Sequence, residues 1–260
     1  MNAPTDYLLQ LADTALVLAQ RNAEWCGHGP VLEEDLAMAN ISLDLIGQAR
    51  YLYQYAAAGL GGDASEDRLA YFRDANEYRC LTLVELPNHG PRSGGAACAP
   101  DYATTIVRNF LHAALMALLW AELQHSSDTQ LAAIAARSVK EARYHLRHCG
   151  DWLLRFGDGT AESHARAQAA LDHLWPYTQE FWTPSPAELA ACAHAGAPHP
   201  ASLHAAWDNR VDAAIAAATL QRPPNCGFLC RGKFGQHSEH LSYLLAEMQV
   251  VARAHPDAVW

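Results

Sequence analysis

Apolar residues recur along most of this chain at the spacing of three and four residues that is typical of an amphipathic helix. No segment alternates apolar with polar residues as a half-buried strand does. Alanine and leucine, which are strong helix formers, are abundant throughout. The pattern predicts an all-α protein whose helices span about 5–24, 32–58, 65–83, 101–125, 129–156, 161–181, 200–218 and 238–254.

The order of these helices predicts how they are arranged. Helices one and two, and helices four and five, form two long antiparallel hairpins, with the third helix as a crossover. This arrangement is that of a ferritin-like four-helix bundle. We therefore expect a single domain of residues 1–260, with a bundle core at about 5–156 and additional C-terminal helices at about 160–254. The segment 87–100 is rich in glycine and proline and predicts a variable or mobile surface loop.

Composition and charge exclude several classes of protein. The formal net charge is −10 and the basic residues are scattered, so no basic surface for nucleic acid is expected. No uninterrupted apolar run reaches the length of a membrane span, and the N-terminal residues lack the layout of a signal peptide. Seven cysteines at wide spacing favour free thiols in a reducing cytoplasm.

Glutamate and histidine close together on the fifth helix, in 140–148, raise the question of a metal site. Ferritin-like di-iron proteins bind their metals through one carboxylate from each of two helices and a Glu-x-x-His frame from each of the other two. In this chain the frame on the fifth helix reads Ala142 to His145, and the frame on the second helix reads Leu45 to Gln48. We therefore predict no metal and no catalytic residue in this chain. His145 is interpreted as a buried histidine, paired with Glu141 or with a backbone carbonyl.

Two other segments have residues at the spacing of a Glu-x-x-His frame, the first a glutamate and a histidine, the second two histidines. Glu122 and His125 lie at the end of the fourth helix, and the segment 237–240, with His237 and His240, lies at a helix start. Both are interpreted as solvated helix ends. Cys149, beside two histidines, is interpreted as a packed thiol.

Several longer segments resemble one known family, the structural subunits of the ring-1,2-phenylacetyl-CoA epoxidases. The resemblance covers nearly the whole chain, the loop 87–100 excepted. The segments that carry it are 24–30 (EWCGHGP), 33–35 (EED), 44–50 (DLIGQAR), 140–148 (KEARYHLRH), 157–163 (GDGTAES) and 235–241 (GQHSEHL).

The resemblance implies a ferritin-like fold and a partner. In that family the di-iron centre lies in a homologous catalytic subunit, which forms a tight heterodimer with the structural subunit. The complex epoxidises the ring of phenylacetyl-CoA with O2 and with electrons from a flavin and iron-sulfur reductase, in aerobic phenylacetate degradation. The catalytic homologue has Glu and His where this chain has Leu45 and Gln48, and Glu where it has Ala142. The chain is thus expected to stabilise the catalytic subunit as a component of an oxidoreductase.

Two alternatives stay open. One is an active di-metal oxidase or oxygenase whose ligands come from Asp44, Glu141, His145 and His148. The other concerns the loop that contains Arg231 and Lys233, which we expect either to contact the CoA phosphates or another subunit, or to be a solvated loop.

Overall fold

The computed structural model describes residues 2–91 and 99–258. In these two ranges the chain forms α-helices, short 3-10 turns and loops, with a single β-bridge between Arg231 and Gln236. The α-helices are α1 (Thr5–Ala23), α2 (Leu32–Leu60), α3 (Glu66–Tyr71), α4 (Thr82–Glu85), α5 (Tyr102–Leu123), α6 (Thr129–Gly157), α7 (Ala161–Leu174), α8 (Pro186–Ala195), α9 (Pro200–Ala217) and α10 (Glu239–Ala254). This architecture confirms the predicted all-α, ferritin-like class.

The chain divides into two compact units. The first unit comprises Ala3–Leu86 and Cys230–Trp260. Its centre is the hairpin of α1 and α2, and α10 packs against α3 and α4. The core includes the fully buried side chains of Leu18, Met38 and Leu52.

The second unit comprises Met1–Asn2 and Pro87–Leu229. Its centre is the hairpin of α5 and α6, and α7 and α9 pack against it. Asp128 begins α6 by accepting hydrogen bonds from the backbone N–H groups of Gln130 and Leu131, both at 3.0 Å. Of the described helices, α5 alone is long and apolar enough to cross a membrane, and 78% of its apolar window is buried, as in the core helix of a globular unit.

Most predicted helices are confirmed to within two or three residues, but the third one is wrong. In place of a single helix over 65–83, the chain forms α3, a 3-10 turn at Ala75–Glu77 and α4. The break arises because Asp74 and Glu77 form a capping box that starts a new turn. The predicted sixth helix ends early at Leu174 and continues as a 3-10 segment, and α8 lies in a proline-containing segment for which no helix was predicted.

The division into units differs from the predicted division into a core and peripheral helices. The C-terminal helix α10 belongs with the N-terminal hairpin rather than with α7–α9. That the whole of 1–260 forms one domain stays a prediction. In the predicted loop 87–100, Asn88 is buried and accepts a hydrogen bond from the Thr105 hydroxyl at 2.9 Å, so this end is fixed to α5. Residues 92–98 of that loop, with Cys98, lie outside the described ranges.

Candidate functional site

The altered frame on α2 lies on the buried face of that helix. Ile41, Leu45, Gln48 and Leu52 recur at spacings of four and three residues and are all buried. They are thus positioned where a ferritin-like protein needs inward-pointing ligands. The Leu45 side chain has no ligating atom, and an amide such as that of Gln48 is a much weaker iron ligand than imidazole. The two frame positions are therefore buried as ligand positions would be, but they offer neither a carboxylate nor an imidazole to an iron ion.

The frame on α6 has the same character. Ala142 and His145 are both buried on the face of α6 that packs within the second unit. His112 on α5 is also buried, and its Nε2 atom has no hydrogen-bond partner among the described residues. Burial, together with the nearby His145 and Arg108, lowers the pKa of His112 to about 3. This imidazole is therefore neutral near pH 7.

The two helices that should each add one carboxylate do not supply it. On α5 the acidic residue is Glu122, which is exposed in the last turn. On α1 the acidic residues are Asp6, exposed in the first turn, and Asp13, which is fully buried. Both carboxylate oxygens of Asp13 already accept hydrogen bonds from other protein groups. The residues of these helices therefore do not fit a di-iron centre.

Asp13 is the acceptor of a buried polar cluster in the first unit. Its Oδ1 atom accepts from the Tyr53 hydroxyl at 2.6 Å and from the Arg73 guanidinium, and its Oδ2 accepts from Arg73 at 3.2 Å and from the Arg79 backbone N–H at 2.7 Å. The guanidinium also lies over the Tyr78 ring, 4.4 Å from its centroid. Burial and the charge of Asp13 raise the pKa of Tyr53 well above its usual value. The cluster fixes α1 to the segment that follows α3.

The alternative ligand set is distributed along two helices. Asp44 is half-buried on α2, and Glu141 and His148 are half-buried on α6 beside the buried His145. Arg137 donates to Glu141 at 3.3 Å, an ion pair one helical turn apart that sequence reasoning had not assigned. Within the described part of α6, these side chains do not form a group of three that could hold one metal ion.

The two segments interpreted as solvated helix ends differ from one another. Glu122 and His125 are both exposed at the end of α5, and this prediction is confirmed. The prediction is wrong for His237, whose side chain is 5% exposed and forms an ion pair with Glu85 at 2.6 Å. The buried carboxylate of Glu85 would be costly without a partner, so the His237 imidazole packs inside the protein against it.

Glu85 is the centre of a compact polar cluster in the first unit. Its Oε1 atom contacts His237 Nδ1, and its Oε2 accepts from the backbone N–H and the hydroxyl of Ser238, both at 2.7 Å. The other imidazole nitrogen contacts the Tyr78 carbonyl at 2.9 Å, and the Cys80 thiol donates to Glu85 at 3.6 Å. Burial alone lowers the pKa of His237, but Glu85 outweighs it and raises that pKa. Sequence reasoning missed this cluster because 152 positions separate Glu85 from His237, and no local motif joins them.

Two residues were predicted to contact a phosphate or another subunit. One of them is exposed and the other is buried. Arg231 is exposed and lies 5.9 Å from the Phe234 ring centroid. Lys233 is only 3% exposed, which corrects the expectation of a solvated loop at that position. The contact with CoA phosphates or with another subunit stays a prediction, now centred on Arg231.

Opposite its buried face, α2 carries a second apolar surface. Leu32, Leu36, Leu43 and Ile46 are exposed, and their spacing places them within about 80° of one another around the helix. We call these four residues the outer face of α2. A helix that is apolar on two opposite faces is typical of burial on both sides. The outer face therefore indicates a protein–protein contact.

Comparison with known proteins identifies the family of this chain. Residues 1–260 match the family model described as phenylacetic acid catabolic protein. The chain is 44% identical over 260 residues to a subunit of the 1,2-phenylacetyl-CoA epoxidase of Escherichia coli (strain K12), and the match covers 100% of both chains. With its all-α fold and its ferritin-like frames on α2 and α6, the chain belongs to the phenylacetic acid catabolic protein family.

Proposed function

We propose that this chain is a non-catalytic structural subunit of a 1,2-phenylacetyl-CoA epoxidase. In this role it binds and stabilises a homologous di-iron catalytic subunit, which epoxidises the ring of phenylacetyl-CoA. Electrons come from a separate flavin and iron-sulfur reductase component. Thiols rather than disulfides at the six described cysteines suit a cytoplasmic location.

The observation that carries the proposal is the chemistry of the two buried frames. Leu45 and Ala142 stand where a carboxylate is needed, and Gln48 stands where an imidazole is needed. Buried carboxylates without a metal ion between them are costly, because each charge loses its hydration. Apolar or neutral residues at these positions make the helices more stable as a scaffold, and they remove the means of binding iron.

The outer face of α2 supports the second half of the proposal. A surface of large exposed aliphatic side chains costs solvation free energy in an isolated protein, and a stable partner recovers it. The relative in Escherichia coli is named as one subunit of an enzyme, so a partner subunit is the occupant that we propose for this surface.

Metal counting and activity assays test the non-catalytic role. The full-length chain is purified alone and after co-expression with the catalytic subunit, and iron is counted in both samples. We expect the complex to contain two irons per catalytic subunit and to oxidise phenylacetyl-CoA when the reductase, an electron donor for it and O2 are supplied. The isolated chain should show no turnover. Two irons per isolated chain together with turnover would contradict the proposal and favour the alternative ligand set.

A further inference from the structure

The cluster at Glu85 contains three different metal-ligating side chains outside the altered frames. The ligating atoms of Cys80, Glu85 and His237 all lie within 4.8 Å of one another, and no other group of three or more Cys, His, Asp or Glu side chains in the described residues does so. We infer that this cluster binds one divalent metal ion, with Zn²⁺ as the ion that its ligands favour. This inference does not depend on the proposed function.

The separations between the ligating atoms are close to those around a tetrahedral ion. Cys80 Sγ lies 3.6 Å from Glu85 Oε1 and 3.9 Å from His237 Nδ1. Zinc bonds of about 2.3 Å to sulfur and about 2.0–2.1 Å to nitrogen and oxygen imply about 3.5 Å between sulfur and either of the other ligands. The third pair, Glu85 and His237, lies at 2.6 Å because the two atoms share a hydrogen bond. Opening this pair by about 0.7 Å gives the separation that a tetrahedral ion requires.

The groups around the cluster already orient the His237 and Glu85 ligands. The Tyr78 carbonyl contacts His237 Nε2, which leaves Nδ1 directed at the other two ligands. Ser238 holds the second carboxylate oxygen through two hydrogen bonds. Arg21 donates to the backbone carbonyl of Glu85 at 2.9 and 2.7 Å and so fixes the end of α4. Outer partners of this kind, a carbonyl behind the imidazole and donors behind the carboxylate, are typical of zinc sites.

The ligand types select the metal. A thiolate and an imidazole favour zinc over magnesium and calcium, which prefer oxygen ligands. On binding, the ion displaces the thiol proton and the proton shared by His237 and Glu85 to solvent. Three protein ligands leave a fourth position for water.

Cobalt and zinc titrations of the full-length chain, stripped of metal by a chelator, test the inference. With Co²⁺ we expect a thiolate-to-cobalt charge-transfer band and the intense visible absorption of a tetrahedral complex. With Zn²⁺ we expect one ion per chain and a higher thermal unfolding midpoint. The variant Cys80→Ser, which keeps the size of the side chain, should lose all four signals. Cys26→Ser is the matched control, because Cys26 is an exposed thiol of the same unit, and it should keep them.

A second variant separates a built site from a chance contact. Ser238→Ala removes one donor behind the carboxylate and should weaken zinc binding about 10- to 100-fold without abolishing it. A charge-transfer band that survives in Cys80→Ser, or zinc binding that is equal in the wild type and that variant, would overturn the inference. The cluster would then be a buried ion pair beside a packed thiol.

Discussion

At the scale of single residues, the buried charge of Asp13 controls a large part of the first unit. The carboxylate is fully buried, and Arg73 is its cationic partner. Arg73→Met keeps much of the side-chain volume and leaves the charge uncompensated, so we expect a loss of about 3–5 kcal/mol in the free energy of unfolding. Urea unfolding followed by circular dichroism measures this loss.

Two further variants control for this effect. Arg50 and Glu66 form an exposed pair at 2.9 Å, so Arg50→Met should lower the free energy of unfolding far less than Arg73→Met does. In the double variant Asp13→Leu/Arg73→Met both charges are absent, and we expect it to be more stable than Arg73→Met alone. Equal losses in Arg73→Met and Arg50→Met would mean that the buried pair has no special role.

His112 should make the stability of the protein depend on pH. Its pKa is about 3 in the folded protein and about 6.5 in the unfolded chain, so the unfolded chain binds more protons between these values. The stabilising contribution is therefore complete above pH 6.5 and is lost as the pH falls towards 3, by at most about 1.4 kcal/mol per pH unit. The variant His112→Gln lacks this titration. The difference in unfolding free energy between wild type and variant should narrow by about 1 kcal/mol or more from pH 7 to pH 5.5.

Wild type and variant differ only at this side chain, so the comparison isolates the contribution of position 112. A difference that stays constant between the two pH values would show that His112 is not neutral and buried in the folded state.

At the scale of helices, replacing either of two glycines by alanine should change the free energy of unfolding in opposite directions. A Cβ added at Gly47, in the interior of α2, meets no described atom within 4 Å, whereas one at Gly157 meets the Ala218 carbonyl oxygen at 1.8 Å. Gly47→Ala should raise the free energy of unfolding by about 0.5–1 kcal/mol, because alanine favours the helix. Gly157→Ala should lower it by about 1–3 kcal/mol through overpacking. Thermal unfolding midpoints of the two variants that shift in the same direction would contradict this account.

Helices and altered frames were predictable because their signals are local. The period of the apolar residues defines the long helices, and a Glu-x-x-His frame spans only four positions, as at Ala142 and His145. The third predicted helix was wrong although its break is local, because the apolar period over 65–83 was given more weight than the capping spacing of Asp74 and Glu77. The partners of Glu85 were missed because His237 lies 152 positions later, and such a contact leaves no local pattern. Sequence therefore identified the residues at the frame positions and did not identify contacts between segments that are distant along the chain.

At the scale of the whole molecule, the two apolar faces of α2 have different roles. The inner face fills the core of the first unit, and the outer face stays exposed in the chain alone. The four side chains of the outer face carry no charge. Association through the outer face is thus expected to depend on aliphatic burial and to be only weakly sensitive to salt.

A substitution at Leu43 tests this surface most directly, because the Leu43 side chain is 64% exposed at the middle of the outer face. Leu43→Arg adds charge to the proposed apolar contact, so we expect binding of the proposed catalytic partner to weaken at least tenfold, or about 1.4 kcal/mol. The stability of the isolated chain should change little, since the position is open to solvent. Leu189→Arg on α8, which is 47% exposed, is the matched control and should bind normally. Co-purification, sizing and iron counting of the complexes provide the measurement; normal assembly by Leu43→Arg would place the partner on another surface.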